Sequence, residues 1–148
     1  QIGYHDIKPM GDMTYQSYPG AVELAQSSDI LLVTCEGGET NRGLVDAVVL
    51  DALGPNGFIV NTARGPIIDQ DALVKALLDE RIAGAALDVF DGEPAVPEAM
   101  IGMENVVLTP HIASSTHETR RAMGDLVYAN IRAHFDGKAV LTPVPLQV

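Results

Sequence analysis

The sequence predicts an α/β fold, in which a parallel sheet is wound with helices on both of its faces. Short apolar runs alternate along the chain with segments whose apolar residues recur at helical spacing, and the connections between them are short. This alternation is typical of right-handed β-α-β crossovers, which build a doubly wound parallel sheet. The runs are continuously apolar, as expected for strands buried on both faces. Ligands of such sheets bind beyond the carboxyl ends of the strands, so polar residues there are the candidates for a site.

The predicted elements alternate in regular order. We predict strands at residues 1–4, 29–34, 58–60, 85–90 and 106–109. We predict helices at residues 21–26, 44–53, 69–84 and 115–137. Asp69 caps the third helix, and Ser115 stands at capping-box spacing from Glu118 at the start of the last one. The remaining segments, residues 7–20 above all, are predicted as loops.

The last predicted helix carries a continuous apolar stripe. Its members are Met123, Val127, Ile131 and Phe135, with Leu126 beside them. Residues at this spacing share one face of a helix, and a face of this kind is usually packed against the rest of a domain. We therefore expect the stripe to be core.

Composition excludes several classes of partner. The chain has 148 residues, enough for one domain with a proper core. Its formal net charge of −11 opposes binding to nucleic acid or to an anionic membrane surface, because both need a basic face. No apolar run approaches the length of about 18 residues that a membrane span needs. The single cysteine, Cys35, fits a reducing compartment, so we expect a cytoplasmic protein with small-molecule partners.

Five polar residues lie at or just after the carboxyl ends of predicted strands, namely Asp6, Arg64, Asp88, Glu93 and His111. Their coincidence at one edge is a stronger indication of a site than any one of them. Arg64 offers a planar, permanently charged fork that can bind a carboxylate, whereas a structural arginine more often lies on a helix surface. Asp88 stands in an apolar run, where a carboxylate needs a partner.

Other reactive side chains are weaker candidates. His5, His117 and His134 are interpreted as loop, first-turn and helix-surface residues, since none has a strand-end carboxylate beside it. One cysteine and scattered histidines give no ligand pair at a recognisable spacing, so we predict no metal site. A serine nucleophile is poorly supported, because the sequence has no Gly-x-Ser-x-Gly elbow.

Asp6 has two interpretations. In a dinucleotide-binding fold, an acidic residue at the end of the second strand accepts hydrogen bonds from the adenine-ribose hydroxyls, and its charge repels a 2′-phosphate. Alternatively, Asp6 is a loop residue that caps a turn. The choice depends on whether the chain binds a dinucleotide.

Three long motifs resemble those of one enzyme family. They are residues 60–69 (Val-Asn-Thr-Ala-Arg-Gly-Pro-Ile-Ile-Asp), residues 84–90 (Gly-Ala-Ala-Leu-Asp-Val-Phe) with Gly92, Glu93 and Pro94, and residues 108–114 (Leu-Thr-Pro-His-Ile-Ala-Ser). In this order they resemble the NAD(P)-dependent D-2-hydroxyacid dehydrogenases, and the resemblance covers essentially the whole chain. The loop at residues 35–38 is most similar to that of the glyoxylate, hydroxypyruvate and hydroxyphenylpyruvate reductases, although Glu36 stands where those often have proline.

The resemblance implies a catalytic role for three residues. Arg64 would bind the carboxylate of a 2-keto acid, His111 would protonate the developing alkoxide as hydride arrives, and Glu93 would hydrogen-bond the imidazole. This carboxylate would fix the tautomer of His111 and favour the imidazolium, which is the acid that reduction needs.

The resemblance also implies how NAD is held. Asp88 would bind the nicotinamide carboxamide, Thr62 and Ala63 would line the other edge of the ring, and Cys35 would contact the cofactor through its backbone. The other cofactor-binding residues that it implies are Asp6, Arg64, His111, Ala113 and Ser114. Relatives that prefer NADP commonly carry a small polar residue and an arginine where this chain has Asp6 and Ile7, so we predict NAD, with NADP favoured only if Lys8 reaches a phosphate.

Part of the family's nucleotide-binding domain is absent from the sequence. No two glycines are separated by a single residue, so the Gly-x-Gly-x-x-Gly turn is missing, and so is the first strand before it. From the family's sheet order we expect that strand between residues 1–4 and 58–60, so that its loss splits the sheet into two pieces with unpaired edges. We expect residues 1–148 to be a partial Rossmann-type NAD-binding domain from the carboxyl-terminal part of a longer enzyme. Its final helix and tail lie at about residues 115–148, and the substrate domain is absent.

Two function classes are compatible with these residues. The first is a reductase or dehydrogenase of small 2-keto and 2-hydroxy acids, such as glyoxylate or hydroxypyruvate, which as full-length parent is expected to be a homodimer. The second is a non-catalytic relative that binds NAD to sense redox state or to assemble. Such relatives can keep the same three residues, so turnover by the full-length protein is the observation that separates the classes.

Overall fold

The computed structural model describes residues 1–8, 11 and 14–144 of the chain. Its strands are β1 (Gly3–Tyr4), β2 (Gln16–Ser17), β3 (Ile30–Val33), β4 (Phe58–Asn61), β5 (Gly84–Leu87) and β6 (Val106–Leu108). Its α-helices are α1 (Ala21–Gln26), α2 (Ala47–Leu53), α3 (Gln70–Leu78) and α4 (His117–Phe135), with 3-10 turns at Glu39–Asn41, Gly65–Ile67 and Glu98–Met100. The chain divides into two compact units, Gln1–His111 and Ile112–Val148.

Strands β3 to β6 form a parallel sheet in the order β3-β4-β5-β6. Ile30 pairs with Phe58 in β4, and Val60 pairs with Ala86 in β5. Parallel neighbours that are joined through helices confirm the predicted α/β fold. Because parallel strands end at the same edge of a sheet, the residues that follow β4, β5 and β6 are brought side by side.

The four-stranded sheet buries one face within the first unit, and not both faces as predicted. Side chains of the buried face share one core with apolar residues of α1, α2 and α3; they are Leu31, Val33, Ile59, Ala85 and Leu87. The alternate side chains are exposed, namely Ile30, Leu32, Phe58 and Val107. A continuous apolar run therefore does not reveal whether one or two layers cover a strand, because that depends on the helices that pack on each face.

Strands β1 and β2 form a separate parallel sheet, so the sheet is split into two pieces, as predicted. The position of the gap differs from the prediction. A cavity of about 730 Å³, lined by Tyr4, Leu24 and Leu32 among others, lies beside β3, whereas the predicted order placed the gap beside β4. The reason is that β3 pairs with β4 along its whole length and so belongs to the larger sheet.

Tertiary contacts set two boundaries that the sequence pattern does not predict. Strand β2 has no apolar pattern, and it exists because β1 offers it a backbone partner. Helix α2 begins at Ala47 and not at residue 44, because Val45 forms a β-bridge with Ile68 and Asp46 caps the helix. The predicted cap at Asp69 is confirmed, since its side chain accepts a hydrogen bond from the first turn of α3.

The second unit is built on α4, whose start differs from the prediction by one residue. The N-cap is Thr116, whose hydroxyl accepts a hydrogen bond from the N–H of Thr119 at 3.1 Å. Ser115, the predicted cap, instead accepts a hydrogen bond from Nη2 of Arg120 at 2.7 Å. Adjacent hydroxyl residues compete for the same cap, and sequence spacing does not decide between them.

The apolar stripe of α4 is exposed and is not core, which corrects the prediction. Its members, Met123, Leu126, Val127, Ile131 and Phe135, are between 42% and 83% exposed. A unit that consists of one long helix and a short tail has no second layer of its own to cover the stripe. The tail is fixed to the helix by Asn130, whose side chain accepts hydrogen bonds from the N–H groups of Leu141 and Thr142. None of the described helices is long and apolar enough to cross a bilayer.

Candidate active site

The carboxyl ends of β4, β5 and β6 carry Arg64, Asp88 and His111. The backbone ladder continues past these strands, because the N–H of Asp88 donates to the carbonyl of Asn61 at 3.0 Å and the N–H of His111 donates to the carbonyl of Asp88 at 2.9 Å. Asp88 and His111 are thus held side by side through their backbones.

Glu93 and His111 form the central pair of the site. Nδ1 of His111 donates a hydrogen bond to Oε2 of Glu93 at 2.8 Å, and the N–H of Phe90 donates to Oε1 at 3.0 Å. Both bonds favour the ionised carboxylate, and together, with the His111 bond as the larger cause, they hold the pKa of Glu93 below its usual range. Because an ionised carboxylate only accepts, Nδ1 carries a hydrogen, and Nε2 becomes the nitrogen that can exchange a proton with a ligand.

The backbone of His111 is in a strained conformation. Its φ is 54°, in the left-handed region that residues other than glycine rarely adopt. Glu80 has a similar φ of 53° in a turn after α3, so this angle alone does not mark a site. At His111, however, the strain coincides with the Glu93 contact and with a cavity of about 290 Å³ whose apolar walls include Phe90 and Leu108. Strain with these neighbours is typical of a functional residue.

Asp88 has the partner that its apolar setting requires. The residue is 4% exposed, and the hydroxyl of Thr109 donates a hydrogen bond to its Oδ1 at 2.5 Å. Thr109 follows β6, so this bond links the ends of β5 and β6 at the edge of the sheet. A buried carboxylate of this kind is a strong acceptor for the N–H groups of a ligand.

Arg64 lies in a turn that Asn61 shapes. The side chain of Asn61 is buried, accepts a hydrogen bond from the N–H of Ala63 and donates one to the carbonyl of Arg64, both at 3.0 Å. Arg64 is exposed, and its Nη1 donates to the carbonyl of Ala63 at 2.6 Å. A guanidinium has five N–H donors, so this bond leaves Arg64 able to bind a carboxylate.

Two glycines bring neighbouring loops against the Arg64 turn. A β-carbon at Gly65 would overlap the backbone of Phe90 and Asp91. A β-carbon at Gly37 would lie 2.6 Å from Cγ of Arg64. Glycine permits both approaches because it has no side chain. The loops that follow β3, β4 and β5 are therefore in direct contact.

Asp6 follows β1, and Cys35 follows β3. Asp6 is exposed and accepts a hydrogen bond from the N–H of Lys8 at 3.0 Å, which is the geometry of a turn-capping residue. Burial is the main cause that raises the pKa of Cys35, and the charge of Asp6 raises that pKa further. The two side chains therefore lie within electrostatic range of each other, and the protonated thiol of Cys35 is a poor nucleophile.

The other predicted cofactor residues are divided between the two units. Thr62 is exposed beside Arg64, whereas the side chain of Ala63 belongs to the core, so that only its backbone can reach a ligand. Ala113 and Ser114 lie in an exposed turn at the start of the second unit. Their participation in one site stays a prediction.

Three residues that shape the site are not singled out by the sequence. Asn61 and Thr109 stand within the motifs, but their roles depend on contacts that only the fold reveals. Gln70, in the first turn of α3, accepts a hydrogen bond from the N–H of Asp91 at 3.0 Å and donates one to its carbonyl at 3.4 Å. The position of Asn61 directly after the apolar run 58–60 could have identified it, whereas Gln70 has no comparable signal.

Comparisons with known proteins find relatives that match most of the chain. Residues 2–113 match the family model described as D-isomer specific 2-hydroxyacid dehydrogenase, NAD binding domain. The chain is 56% identical over 145 residues to glyoxylate/hydroxypyruvate reductase A of Arabidopsis thaliana, and 51% identical over 143 residues to hydroxyphenylpyruvate reductase of Plectranthus scutellarioides. Each match covers 97% of this chain and 46% of the relative, so the chain spans about half the length of the curated relatives it matches.

A solved structure is similar over almost the whole chain. It is the crystal structure of an NADPH-dependent glyoxylate/hydroxypyruvate reductase from Sinorhizobium meliloti in complex with NADP and malonate. The match has a TM-score of 0.92 and 44% identity, and it covers 96% of this chain and 44% of that one. The Rossmann-type architecture predicted from the sequence is thereby confirmed.

Proposed function

We propose that this chain, which belongs to the D-isomer-specific 2-hydroxyacid dehydrogenase family, is the carboxyl-terminal part of an NAD(H)-dependent reductase of small 2-keto acids such as glyoxylate or hydroxypyruvate. The observation that carries the proposal is the 2.8 Å hydrogen bond between His111 and Glu93 at the carboxyl edge of the sheet. A parent enzyme would join these residues to the segments that the relatives have beyond the matched region. A cytoplasmic, homodimeric parent stays a prediction.

The chemistry assigns a separate task to each of three side chains. Arg64 would bind the substrate carboxylate and thereby orient the 2-keto group. His111 would donate the Nε2 proton to the carbonyl oxygen while hydride adds to the carbonyl carbon, so that the ketone becomes a hydroxyl. Glu93 would stabilise the imidazolium through Nδ1, and in the oxidative direction the neutral ring would take the proton back.

The residues present fit the nicotinamide half of the cofactor, which would supply the hydride. The buried carboxylate of Asp88, held by Thr109, suits the carboxamide N–H groups, and the exposed Thr62 lies one strand away. The backbone of Cys35 and the side chain of Asp6 would serve the ribose side. The Gly-rich turn for the pyrophosphate is not among the 148 residues, so the chain alone should not catalyse reduction.

The test of the proposal is turnover of NADH with glyoxylate or hydroxypyruvate by the parent enzyme. His111→Ala should lower kcat by about 100-fold or more while the affinity for NADH changes little, because a general acid is lost. Arg64→Lys should mainly raise the KM for the keto acid, since an ammonium cannot form the two-pronged contact. His134→Ala, at an exposed position of α4, is the matched control and should keep parental turnover.

Two outcomes would contradict the proposal. Near-parental turnover by the His111→Ala variant would mean that the proton comes from another group. Tight binding of NADH by the parent enzyme without turnover of either keto acid would favour the non-catalytic, NAD-sensing relative.

Asp6 carries the proposal that NAD is preferred to NADP. Its carboxylate would accept hydrogen bonds from the ribose hydroxyls and would repel a 2′-phosphate, and Ile7 provides no compensating charge. Two observations favour the opposite preference. The ammonium of Lys8 could reach a 2′-phosphate, and the similar reductase of Sinorhizobium meliloti is NADPH-dependent. The ratio of kcat/KM for NADH to that for NADPH should exceed one in the parent enzyme and should fall in Asp6→Ala. An NADPH preference in the parent, or an unchanged ratio in Asp6→Ala, would leave Asp6 as the turn residue that caps Lys8.

A further inference from the structure

The loop that carries Glu93 is held from outside the site. Its backbone leaves β5, passes Asp91 and Gly92, and reaches Glu93, whose carboxylate then contacts His111. Gly92 has a φ of 86°, so the loop turns sharply at a residue with little conformational restraint. The N–H of Phe90 holds the Glu93 carboxylate at 3.0 Å from within the loop, and Gln70 holds the loop backbone from outside it.

Gln70 provides a two-point anchor. Its Oε1 accepts a hydrogen bond from the N–H of Asp91 at 3.0 Å, and its Nε2 donates to the carbonyl of the same residue at 3.4 Å. Because the Asp91 N–H can only donate, the orientation of the amide is fixed by its partner. These bonds reach the two peptide units on either side of the Asp91 α-carbon, so they restrain both the position and the rotation of the loop backbone.

A second contact reaches Asp91 but restrains it less. Nη1 of Arg42 lies 3.2 Å from Oδ2 of Asp91, and both side chains are about half exposed. Exposed ion pairs of this kind contribute little to stability and are screened by salt. This pair also holds the Asp91 side chain and not its backbone, so Gln70 is the more direct restraint on the path to Glu93.

We infer that Gln70 is a positioning residue for the Glu93–His111 pair: its amide holds the backbone of Asp91 and thereby sets the carboxylate of Glu93 against Nδ1 of His111. The significance of this for catalysis rests on the proposed function, whereas the positioning itself does not. Gln70 touches neither reacting group, and it acts from the first turn of α3, a rigid element capped by Asp69.

The positioning is tested by NMR on the 148-residue chain, by following the Glu93 side-chain carbon through an acid titration. In the parental chain the pKa of Glu93 should lie below its usual range, and in Gln70→Ala it should rise toward the ordinary glutamate value, because the His111 bond is loosened. Gln70→Glu keeps the oxygen that accepts the shorter bond and should restore the low pKa in 0.3 M salt, which screens the added charge. Gln26→Ala, at the end of α1, is the matched control and should leave the pKa unchanged.

An unchanged Glu93 pKa in Gln70→Ala would overturn the inference. So would loss of the folded spectrum in that variant, since Gln70 would then be a general stability element. Failure of Gln70→Glu to restore the low pKa of Glu93 would show that the bond to the Asp91 N–H does not position Glu93.

Kinetic measurements on the parent enzyme are the second test of the inference about Gln70. Gln70→Ala should lower kcat about 10-fold, a part of what the general acid contributes, with little change in the KM for NADH. In a His111→Ala background the same substitution should have no further effect, because the two act through one group. A further loss in that background would overturn the inference. An inactive parent enzyme would instead contradict the proposed function and leave the NMR result to decide the positioning.

Discussion

At the residue scale, His111 depends on neighbours that are remote in sequence. Glu93, eighteen residues earlier, holds its ring, and the carbonyls of Asp88 and Thr109 accept from its backbone N–H. The ring therefore has one tautomer and one direction, which an exposed histidine on a flexible loop would not have.

Glu93 should give the chain a measurable dependence of stability on pH. Its pKa is lowered in the folded state, so its ionisation stabilises the fold fully above the ordinary glutamate pKa of about 4.5, and this contribution is lost as the pH falls through the lowered folded value. Glu93→Gln should remove that part of the acid dependence. The measurement is the free energy of unfolding by urea between pH 7 and pH 3, with the exposed Glu104→Gln as the control. A difference between Glu93→Gln and the parental chain that is constant over this range would contradict the expectation.

The charged residues of the site could be predicted from the sequence, whereas the neutral residues that shape the site could not. Asp88 stands out inside an apolar run, where a carboxylate needs a partner, and Glu93 and His111 stand out because they come after such runs. Asn61 and Gln70 act through hydrogen bonds between their side-chain amides and backbone groups. No sequence pattern predicts which backbone groups they bind. For Asp6 the sequence leaves two interpretations open for a different reason, since a capping carboxylate and a ligand-binding carboxylate look alike.

At the scale of the elements, helix interiors were predicted better than helix ends. The periodicity of apolar residues located α1 to α4, because burial of one face depends on spacing alone. The starts of α2 and α4 differ from prediction because each is decided by a local contact, a β-bridge at Val45 in one case and competition between Ser115 and Thr116 in the other.

Two glycines of the second unit should respond to alanine in opposite directions. Gly124 lies inside α4, and nothing lies within 4 Å of a β-carbon built on it, so Gly124→Ala should raise the free energy of unfolding by about 1 kcal/mol through helix propensity. Gly137 follows α4 with a φ of 69°, so Gly137→Ala should lower it by about 1 kcal/mol because of left-handed strain. Circular dichroism at 222 nm during urea unfolding measures both. The same sign for the two variants would contradict this assignment of roles.

At the scale of the whole molecule, the sequence predicts the parallel sheet, but it predicts neither the position of the gap in the sheet nor the layering. The alternation of strands and helices predicts the parallel sheet, and the missing first strand predicts its division into two pieces. The exposed face of the sheet and the exposed stripe of α4 were both expected to be core. In each case the apolar pattern indicates a surface that is stabilised by burial. Whether a second layer of secondary structure covers that surface depends on the elements available to pack on it.

The cavity beside β3 has a consequence for how the protein behaves in solution. It leaves β3 as an edge strand of the four-stranded sheet, with Ile30 and Leu32 exposed, and such edges are templates for pairing between copies. The net charge of −11 opposes that pairing, but its reach shrinks from about 10 Å in 0.1 M salt to about 3 Å in 1 M salt. We therefore expect dynamic light scattering to report single chains in dilute buffer and growing assemblies as salt is added, with the reverse trend as the contrary result. For this chain, dilute buffer and not concentrated salt should be the condition that keeps it dispersed.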